Sequence, residues 1–297
     1  MLEQLRQRLQ ALQKPPGIED NPGVLPLGVE AIDAPLGGGL ARGALHEIAA
    51  PSEAHLAAAA GFVLGLAALS LSPSPRSNTS VIPGRERSER TRNPETHSEI
   101  ASGFRVRGLT AAPRNDGEGA GRGEFVWIAE DMALTESGAP YGPGLDAFGL
   151  KPEQLVTVTA ACTRDLLWAM EEALRCRAIA AVIGEMRGSE IDSVAVRRLS
   201  LAAAESGALA LLLRATPPTD ASTAATRWIV GAAPSSPSSG WECERAPRFA
   251  ATLVRNRRGP VGSWILQWSD IDERFLLATH AQPVAAPPLD RPHRKVA

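Results

Sequence analysis

The stretch Ala44–Leu69, ALHEIAAPSEAHLAAAAGFVLGLAAL, decides how the rest of the chain is organised. Its pattern predicts a buried strand from Ala44 to Ala49, a tight turn, and then a long helix rich in Ala and Leu. In nucleotide-binding α/β proteins, a turn in this place has the pattern G-x-x-x-x-G-K-[ST], whose backbone N–H groups and lysine hold phosphates. The stretch therefore predicts the strand, turn and helix of a phosphate-binding loop (P-loop).

The side chains of this turn lack the chemistry that phosphate binding needs. Ala50 opens the turn, and His55, Leu56 and Ala57 stand where Gly, Lys and Ser or Thr would fall. A leucine cannot neutralise a triphosphate, an alanine cannot ligate Mg²⁺, and Glu53 would repel the phosphates. The sequence therefore predicts a degenerate P-loop with no nucleotide cofactor and no bound metal.

The composition is that of a soluble globular protein. Hydrophobic residues make up 44% of the 297 residues and charged residues 22%. Aromatic residues make up only 4%, so we expect a core built mainly from Ala, Leu, Val and Ile. The net charge of −2 argues against a broadly basic surface for nucleic acid. The scattered cysteines favour reduced thiols over a metal or redox site; they are Cys162, Cys176 and Cys243.

Two features of the sequence predict a cytoplasmic protein that does not contact a membrane. Met1 leads directly into charged residues, so no secretory signal is expected. The longest apolar run, Leu56 to Leu71, is too short and too rich in Ala to favour a membrane span, and it predicts a buried helix instead.

The run LGVEAIDAPLGGGLARGALHEIAAPSEAHLAAAAGF, from Leu27 to Phe62, resembles the start of the RecA core, where a short helix and a glycine turn precede the P-loop strand. More closely, it is similar to the ImuA family, which comprises RecA-like, SulA-related accessory proteins of bacterial translesion mutagenesis cassettes. The resemblance covers most of the chain apart from an insertion and the tail. It implies a RecA-like α/β core, in which helices flank a mostly parallel sheet with a mixed or antiparallel edge.

We divide the chain into an N-terminal helical arm and linker, 1–23, a RecA-like domain, 24–279, and a flexible tail, 280–297. The apolar face of the arm has helical spacing. A helix docked on its own domain and an arm for a partner both fit this pattern. The residues of the apolar face are Leu2, Leu5, Leu9 and Leu12.

The segment 72–123 interrupts the domain and is predicted to be disordered. It is rich in Arg, Pro, Ser and Gly and lacks a sustained apolar period. Its arginines invite a nucleic-acid interpretation, but glutamates are interleaved with them and no aromatic ladder accompanies them. We favour a tolerated insertion in a surface loop over a binding element.

Two further nucleotide elements depart from the pattern that the resemblance implies. Glu130 matches the glutamate that activates water for ATP hydrolysis in RecA proteins, but without a bound triphosphate it is a structural or vestigial residue. Gly184 stands where an aspartate should close the next strand on the Mg²⁺ side, and Glu185 follows it. The acid is therefore displaced or missing, and the chain is predicted not to be an enzyme.

The DNA-binding loops of RecA are also reduced. The resemblance implies that the first is deleted after Gly184, and the second corresponds to Thr216 to Thr226, TPPTDASTAAT, which has no basic residue. No direct, sequence-specific nucleic-acid binding is expected. The resemblance instead implies a non-catalytic adaptor in SOS-induced DNA repair and mutagenesis, which binds RecA and a Y-family-like polymerase partner.

Two alternative functions follow from the same resemblance. One is an ATP-dependent recombinase, against which Leu56, Ala57 and Gly184 argue. The other is a SulA-type cell-division inhibitor, which would not need a RecA-like core of this size.

Three arginines at the end of the domain suggest how the adaptor would act. Arg255 and Arg257 match the basic pair with which a RecA subunit faces the ATP of its neighbour, and Arg227 matches a further interface lysine. With these arginines the chain would dock on a RecA subunit and cap or restrain a filament, with the N-terminal arm as a second contact. The alternative is that they are exposed charges at strand ends.

Overall fold

The computed structural model describes residues 23–71, 105–107, 123–187, 191–219, 222–234 and 246–278. The predicted N-terminal arm, with Leu2, Leu5, Leu9 and Leu12, lies outside these ranges, as do the tail 280–297 and most of the insertion 72–123.

Strands and helices are mixed along the described chain, which ends in five consecutive strands. The strands are β1 (Val24–Leu25), β2 (Leu40–Ala41), β3 (Ala44–Ala49), β4 (Arg105–Arg107), β5 (Glu124–Glu130), β6 (Leu155–Ala160), β7 (Ile179–Met186), β8 (Leu209–Arg214), β9 (Thr226–Ala232), β10 (Arg248–Asn256), β11 (Gly262–Ser269) and β12 (Arg274–Leu277). The helices are α1 (Glu30–Asp33), α2 (Leu56–Leu71), α3 (Asp131–Ser137), α4 (Gly142–Asp146), α5 (Thr163–Leu174) and α6 (Ser193–Ser206).

One ten-stranded sheet organises the domain, in the order β12-β11-β10-β9-β3-β8-β7-β5-β6-β4. The six strands from β9 to β6 in this order are parallel to one another. Strands β10 to β12 continue the sheet with antiparallel pairing. The predicted fold class is confirmed in its architecture: an α/β core with a mostly parallel sheet, flanking helices and an antiparallel edge. The strand before the degenerate P-loop, β3, lies inside the sheet between β8 and β9.

Helices cover both faces of the parallel part of the sheet. Helix α2 packs on one face, against β3, β7 to β10 and β12. Helices α5 and α6 pack on the other face, against β3 and β5 to β8. Because helices cover both of their faces, β7 and β8 are buried along their whole length. Such strands have a continuous apolar sequence instead of an alternating one.

The core beneath α2 differs from the aliphatic core that the composition predicts. Although aromatic residues are few, several of them converge where α2 crosses the antiparallel strands. Gly65 of α2 allows this packing, because a Cβ there would lie 2.5 Å from Phe275. The clustered rings belong to Phe62, Trp228, Phe249, Trp268 and Phe275.

Helix α2 and the turn before it, Glu53–Leu71, are long and apolar enough to cross a membrane by length and composition alone. In the fold, this helix lies in the core, where Phe62, Val63 and Leu66 are completely buried. The predicted buried helix is confirmed.

One short strand lies inside the predicted disordered insertion. Arg105–Arg107 pairs with β6 in antiparallel register, with Val106 opposite Val158. The prediction of disorder for 72–123 is therefore wrong for these three residues. Without β4, β6 would be an edge strand with unpaired backbone groups. Pairing with such groups depends on the backbone, so a segment of any composition can form it.

Candidate functional site at the degenerate P-loop

The predicted strand, turn and helix are present at the position of a P-loop. After β3 ends, the backbone N–H of Ala50 donates to the carbonyl of Arg214 at the end of β8, at 2.9 Å. A short 3-10 turn, Glu53–His55, then leads directly into α2 at Leu56. The turn lies at the carboxyl end of the parallel strands, where open α/β sheets bind ligands.

Two side chains that replace the P-loop residues have structural roles. Leu56, at the lysine position, is 7% exposed and belongs to the core beneath α2. The Nδ1 atom of His55 accepts a hydrogen bond from the backbone of Ala232 in β9, at 3.1 Å. The ring also packs so closely that a Cβ on Gly231 would lie 3.2 Å from its Nδ1. The turn is therefore fixed to β9, a contact that the sequence did not predict.

A cleft of about 630 Å³ opens beside this turn. Its apolar wall comes from the first turns of α2 and from Trp127 of β5. A second wall is the segment 136–140, which begins in the last residues of α3 and continues beyond its end. The charged residues that line it are Glu53, Glu136, Glu185 and Arg187.

The structure explains why position 184 has no aspartate. Gly184 faces α5, and a Cβ there would overlap the Sδ atom of Met170. Glu185 is on the opposite face of β7 and lines the cleft. The acid is therefore displaced by one residue, and Met170 occupies the space that a side chain at position 184 would need.

Glu185 is fixed by its neighbours inside the cleft. It is 6% exposed, and its Oε2 accepts a hydrogen bond from Nε1 of Trp127 at 3.1 Å. Burial raises the pKa of this carboxyl, and the bond from Trp127 and the charge of Arg187 partly oppose that shift. Among the residues that the structure describes, no group of three or more His, Cys, Asp or Glu side chains could hold a metal ion.

Arg187 is the basic residue of the cleft and is already engaged by acidic neighbours. Its guanidinium lies 3.4 Å from Glu136 Oε2 and 3.6 Å from Glu185 Oε1, and it donates to Ser137 Oγ. Among the described lining residues, three carboxylates thus face one guanidinium. The cleft has the opposite charge from a site for a triphosphate.

Glu130 lies beside the cleft but does not line it. Its carboxylate accepts hydrogen bonds from Thr163 Oγ1 at 2.5 Å and from the backbone N–H of Arg187 at 2.9 Å. These contacts connect the start of α5 to the end of β7, so Glu130 has a structural role.

Arg227 is not the free interface charge that the sequence predicted. Its Nε donates to Oε2 of Glu47 at 2.7 Å, and the two side chains are only 12% and 1% exposed. Ser222 Oγ donates to the other oxygen of the same carboxylate. The expectation fails because Arg227 lies directly beside Glu47 in the register of β9 and β3, where its charge neutralises a buried acid.

Arg255 and Arg257 lie together at the opposite edge of the sheet from the cleft. Arg255 is half-buried and is the cross-strand partner of Arg227, whereas Arg257 is exposed. Both belong to a segment, 255–261, that we call the basic turn. No contact among the described residues tests the interface role of Arg255 and Arg257, so that role stays a prediction.

A second buried polar network, which the sequence did not reveal, lies under the amino ends of β3 and β9. Nδ1 of His46 lies 2.7 Å from Thr226 Oγ1, and its Nε2 lies 2.9 Å from the carbonyl of Ala41. Thr226 Oγ1 accepts a bond from Trp228 Nε1 at 3.0 Å. Every group in this network is satisfied when the imidazole of His46 is neutral. Its Nε2 then donates to the carbonyl of Ala41, and its Nδ1 accepts from the hydroxyl of Thr226. Burial accordingly lowers the pKa of His46 from 6.5 to about 4.

Comparison with known proteins gives matches to relatives in sequence and to solved structures. No family model matches the chain. Proteins named ImuA from two strains of Caulobacter vibrioides are 31% identical to it over 172 residues, which is 54% of this chain and 64% of the relatives' length. The chain thus spans less than two thirds of these relatives. The RadB recombinase structure matches with 13% identity and a TM-score of 0.48, covering 83% of this chain and 97% of that chain. The predicted resemblance to ImuA is confirmed.

Proposed function

We propose that this chain, a relative of the ImuA proteins with a RecA-like fold, is a DNA-damage-related accessory protein that neither binds nor hydrolyses ATP. The similarity to ImuA supports the connection with DNA damage. The cleft beside the degenerate P-loop is the observation that supports a non-catalytic role.

The charges of the cleft make it a poor site for Mg-ATP. A bound triphosphate would bring several negative charges close to Glu53, Glu136 and Glu185. Like charges about 4 Å apart near a protein surface repel by about 4 kcal/mol. Arg187 cannot compensate, because Glu136 and Glu185 already surround its guanidinium. The excess carboxylates therefore favour an empty nucleotide site.

The missing lysine adds to this effect. A P-loop lysine reaches the β- and γ-phosphates and neutralises the charge that develops during phosphoryl transfer. Here Leu56 is buried in the core instead, and Ala57 offers no oxygen for Mg²⁺. The chain would therefore lack both the phosphate cradle and the metal ligand of an ATPase.

The protein would act by binding partners in the cytoplasm, where RecA filaments form on damaged DNA. Its proposed partners are RecA and a Y-family-like polymerase subunit. In RecA filaments, ATP lies between subunits, and one subunit reaches the ATP of its neighbour with basic side chains. Arg255 and Arg257 would serve this purpose toward a RecA subunit, because an arginine can hold phosphate oxygens with two hydrogen bonds.

Such docking would restrain a filament. A subunit that offers basic side chains to its neighbour but no ATP of its own would occupy the filament end without supporting the next subunit. The structure motivates one revision of this idea: Arg227 is removed from the docking set, because it is paired with Glu47.

Isothermal titration of the full chain with Mg-ATP tests the non-catalytic role. We expect no measurable binding heat, and the active-recombinase alternative requires a dissociation constant at or below the micromolar range. Mg-ATP binding to RecA under the same conditions serves as the positive control. Saturable micromolar binding by this chain would disprove the proposal.

A further inference from the structure

Strands β10 and β11 are covered on one face only by the helices that the structure describes. Helix α2 packs on the face that carries Phe249, Ala251 and Leu253, and these three residues belong to the core beneath it. On the other face of the sheet, α5 and α6 pack against β3 and β5 to β8, so their cover ends before β10. The second face of β10 and β11 is therefore open in the described part of the chain.

This open face carries small and apolar side chains instead of charged ones. An antiparallel sheet with one face in water normally alternates apolar and polar residues. Ala250 and Thr252 alternate with the buried residues of β10, and their cross-strand partners in β11 are Ile265 and Ser263. Ser263 Oγ donates to Thr252 Oγ1 at 3.0 Å, so these two hydroxyl groups already share a hydrogen bond. The face therefore has the character of a surface that another segment covers.

The small side chains leave a groove of about 670 Å³, which we call the sheet groove. It is lined by these four residues of β10 and β11, together with Trp264, Leu277 and Ala278. None of these lining residues is charged, whereas the cleft beside the degenerate P-loop has four charged residues. The sheet groove thus favours an uncharged segment, because burying a charge without a partner is costly.

The described chain ends in the wall of this groove. Ala278 is the last described residue, and its backbone N–H donates to the carbonyl of Ile265 at 2.9 Å. The sequence continues through Thr279 into the tail, 280–297. Neighbouring strands lie about 4.8 Å apart, so about three or four extended residues can cross from β12 to β10. The tail therefore leaves the sheet at the groove and is long enough to cross it.

The first part of the tail has the composition that the groove favours. The stretch 281–289, AQPVAAPPL, contains no charged residue, and charges return only from Asp290 onward. Alanine and proline are small enough for a shallow groove, and Val284 and Leu289 add larger apolar side chains. Because proline restricts the unbound chain, a segment rich in proline loses less conformational entropy when it binds.

We propose that the sheet groove binds the tail of the same chain through the stretch 281–289. Val284 and Leu289 supply the main apolar contacts, and the charged end of the tail, 290–297, stays outside the groove. Attachment at Ala278 gives the stretch an effective concentration in the millimolar range, so a weak contact is enough to keep the groove occupied. The sequence predicts a flexible tail because the tail lacks periodicity, but an extended segment rich in proline lacks it too.

This inference goes beyond the proposed function and does not rest on it, since it concerns contacts within one chain. The two are connected by position. Thr252 lies in the same strand as Arg255, and the basic turn leads through Gly262 to Ser263. A tail in the groove would therefore lie beside the arginines that are proposed to dock on RecA.

Labelling of a thiol placed in the groove tests the proposal. In the full chain with Ser263→Cys, a bound tail shields the new thiol from iodoacetamide. Adding Val284→Glu/Leu289→Glu should raise its labelling rate by about tenfold, since a tail bound in about nine molecules of ten leaves only one in ten open. Mass spectrometry of the digested protein measures the rate, and the exposed Cys162 and Cys176 serve as internal references.

The matched control is His293→Glu/Val296→Glu, which adds the same two carboxylates to the charged end of the tail. In the Ser263→Cys chain it should leave labelling as slow as the native tail does. A synthetic peptide of residues 280–297, added in millimolar amounts to the chain with Val284→Glu/Leu289→Glu, should slow labelling again.

Several outcomes would overturn the proposal. Equally fast labelling with the native and the Val284→Glu/Leu289→Glu tail would show that the tail does not cover the groove. Equally slow labelling would assign the groove to another segment, and a rate that falls as protein concentration rises would assign it to a second copy. A control that labels as fast as the Val284→Glu/Leu289→Glu chain would show that added charge alone has the effect.

The result separates this proposal from the proposed function. The labelling contains neither nucleotide nor RecA, so its failure leaves the proposed function unchanged. Saturable binding of Mg-ATP would disprove the non-catalytic role and leave the binding of the tail untouched.

Discussion

Glu47 and Arg227 form a buried ion pair between the central strand of the sheet and its neighbour, with Nε 2.7 Å from Oε2. Glu47 lies one residue after His46 in the strand that leads to the degenerate P-loop. Ser222 donates to the same carboxylate, so the pair also holds the segment before β9. Arg227, which the resemblance to RecA assigns to a subunit interface, is here part of the core.

We therefore expect Arg227→Ala to destabilise the protein. It leaves Glu47 as an uncompensated buried charge, which typically costs about 3–5 kcal/mol. The free energy of unfolding from urea denaturation is the measurement. Arg255→Ala, on the cross-strand neighbour, is the matched control and should cost less than about 1 kcal/mol. Equal stability of the two variants would show that the pair does not hold the strand.

The buried histidine predicts a pH dependence. The pKa of His46 is about 4 in the fold and 6.5 when unfolded, so the unfolded chain binds more protons between these values. The contribution of His46 to stability is present above pH 6.5 and is lost as the pH falls toward 4, by about 3 kcal/mol in total. Subtracting the unfolding profile of His46→Gln from that of the wild type isolates this slope. A flat difference between the profiles would contradict the neutral, buried ring.

The packing around Gly184 predicts that a side chain introduced at this position lowers the stability of the protein. Gly184→Ala introduces a Cβ that overlaps Met170, and overpacking of this kind costs about 1–3 kcal/mol. Gly142→Ala is the control, because its Cβ would make an ordinary contact at 3.7 Å with Pro152. Thermal unfolding should show a lowered midpoint for the first variant and a nearly unchanged one for the second. The reverse order would refute the steric explanation.

The proposed docking on RecA predicts a loss of affinity in Arg255→Ala/Arg257→Ala. Each charge-assisted contact contributes about 1.5–3 kcal/mol, so losing two should weaken binding by about a hundredfold or more. Binding to RecA filaments assembled with a non-hydrolysable ATP analogue, at fixed salt, is the measurement. Arg164→Ala/Arg197→Ala controls for charge alone. Wild-type affinity in the first variant, with its fold intact, would eliminate this docking mechanism.

Much of the fold could be predicted from the sequence because its signals are local. Continuous apolar runs mark β7 and β8, and the long Ala and Leu run marks α2. The resemblance gave a mostly parallel sheet with an antiparallel edge, but the order of the strands was not predicted, since periodicity does not say which strands are neighbours. The strand β4 could not be predicted, because its pairing depends on a free edge elsewhere and not on its own composition.

The candidate site was predicted less completely, because its features depend on contacts between distant segments. The loss of the P-loop residues at His55, Leu56 and Ala57 is visible in the sequence alone. The partner of Arg227 is not, because Glu47 is 180 residues away along the chain. The acidic lining of the cleft was equally hidden, since Glu136 and Glu185 come from separate segments that only the sheet brings together.

The bond from Ala232 to His55 has a consequence for the history of this protein. A glycine at position 55 would release the turn, yet a lysine at 56 would still have its stem in the core, and an acid at 184 would still collide with α5. Under the proposed function, each reversal alone would lower stability without returning nucleotide binding. The proposed loss of the nucleotide site would then be hard to reverse, because selection that acts on one substitution at a time would favour none of the single steps back.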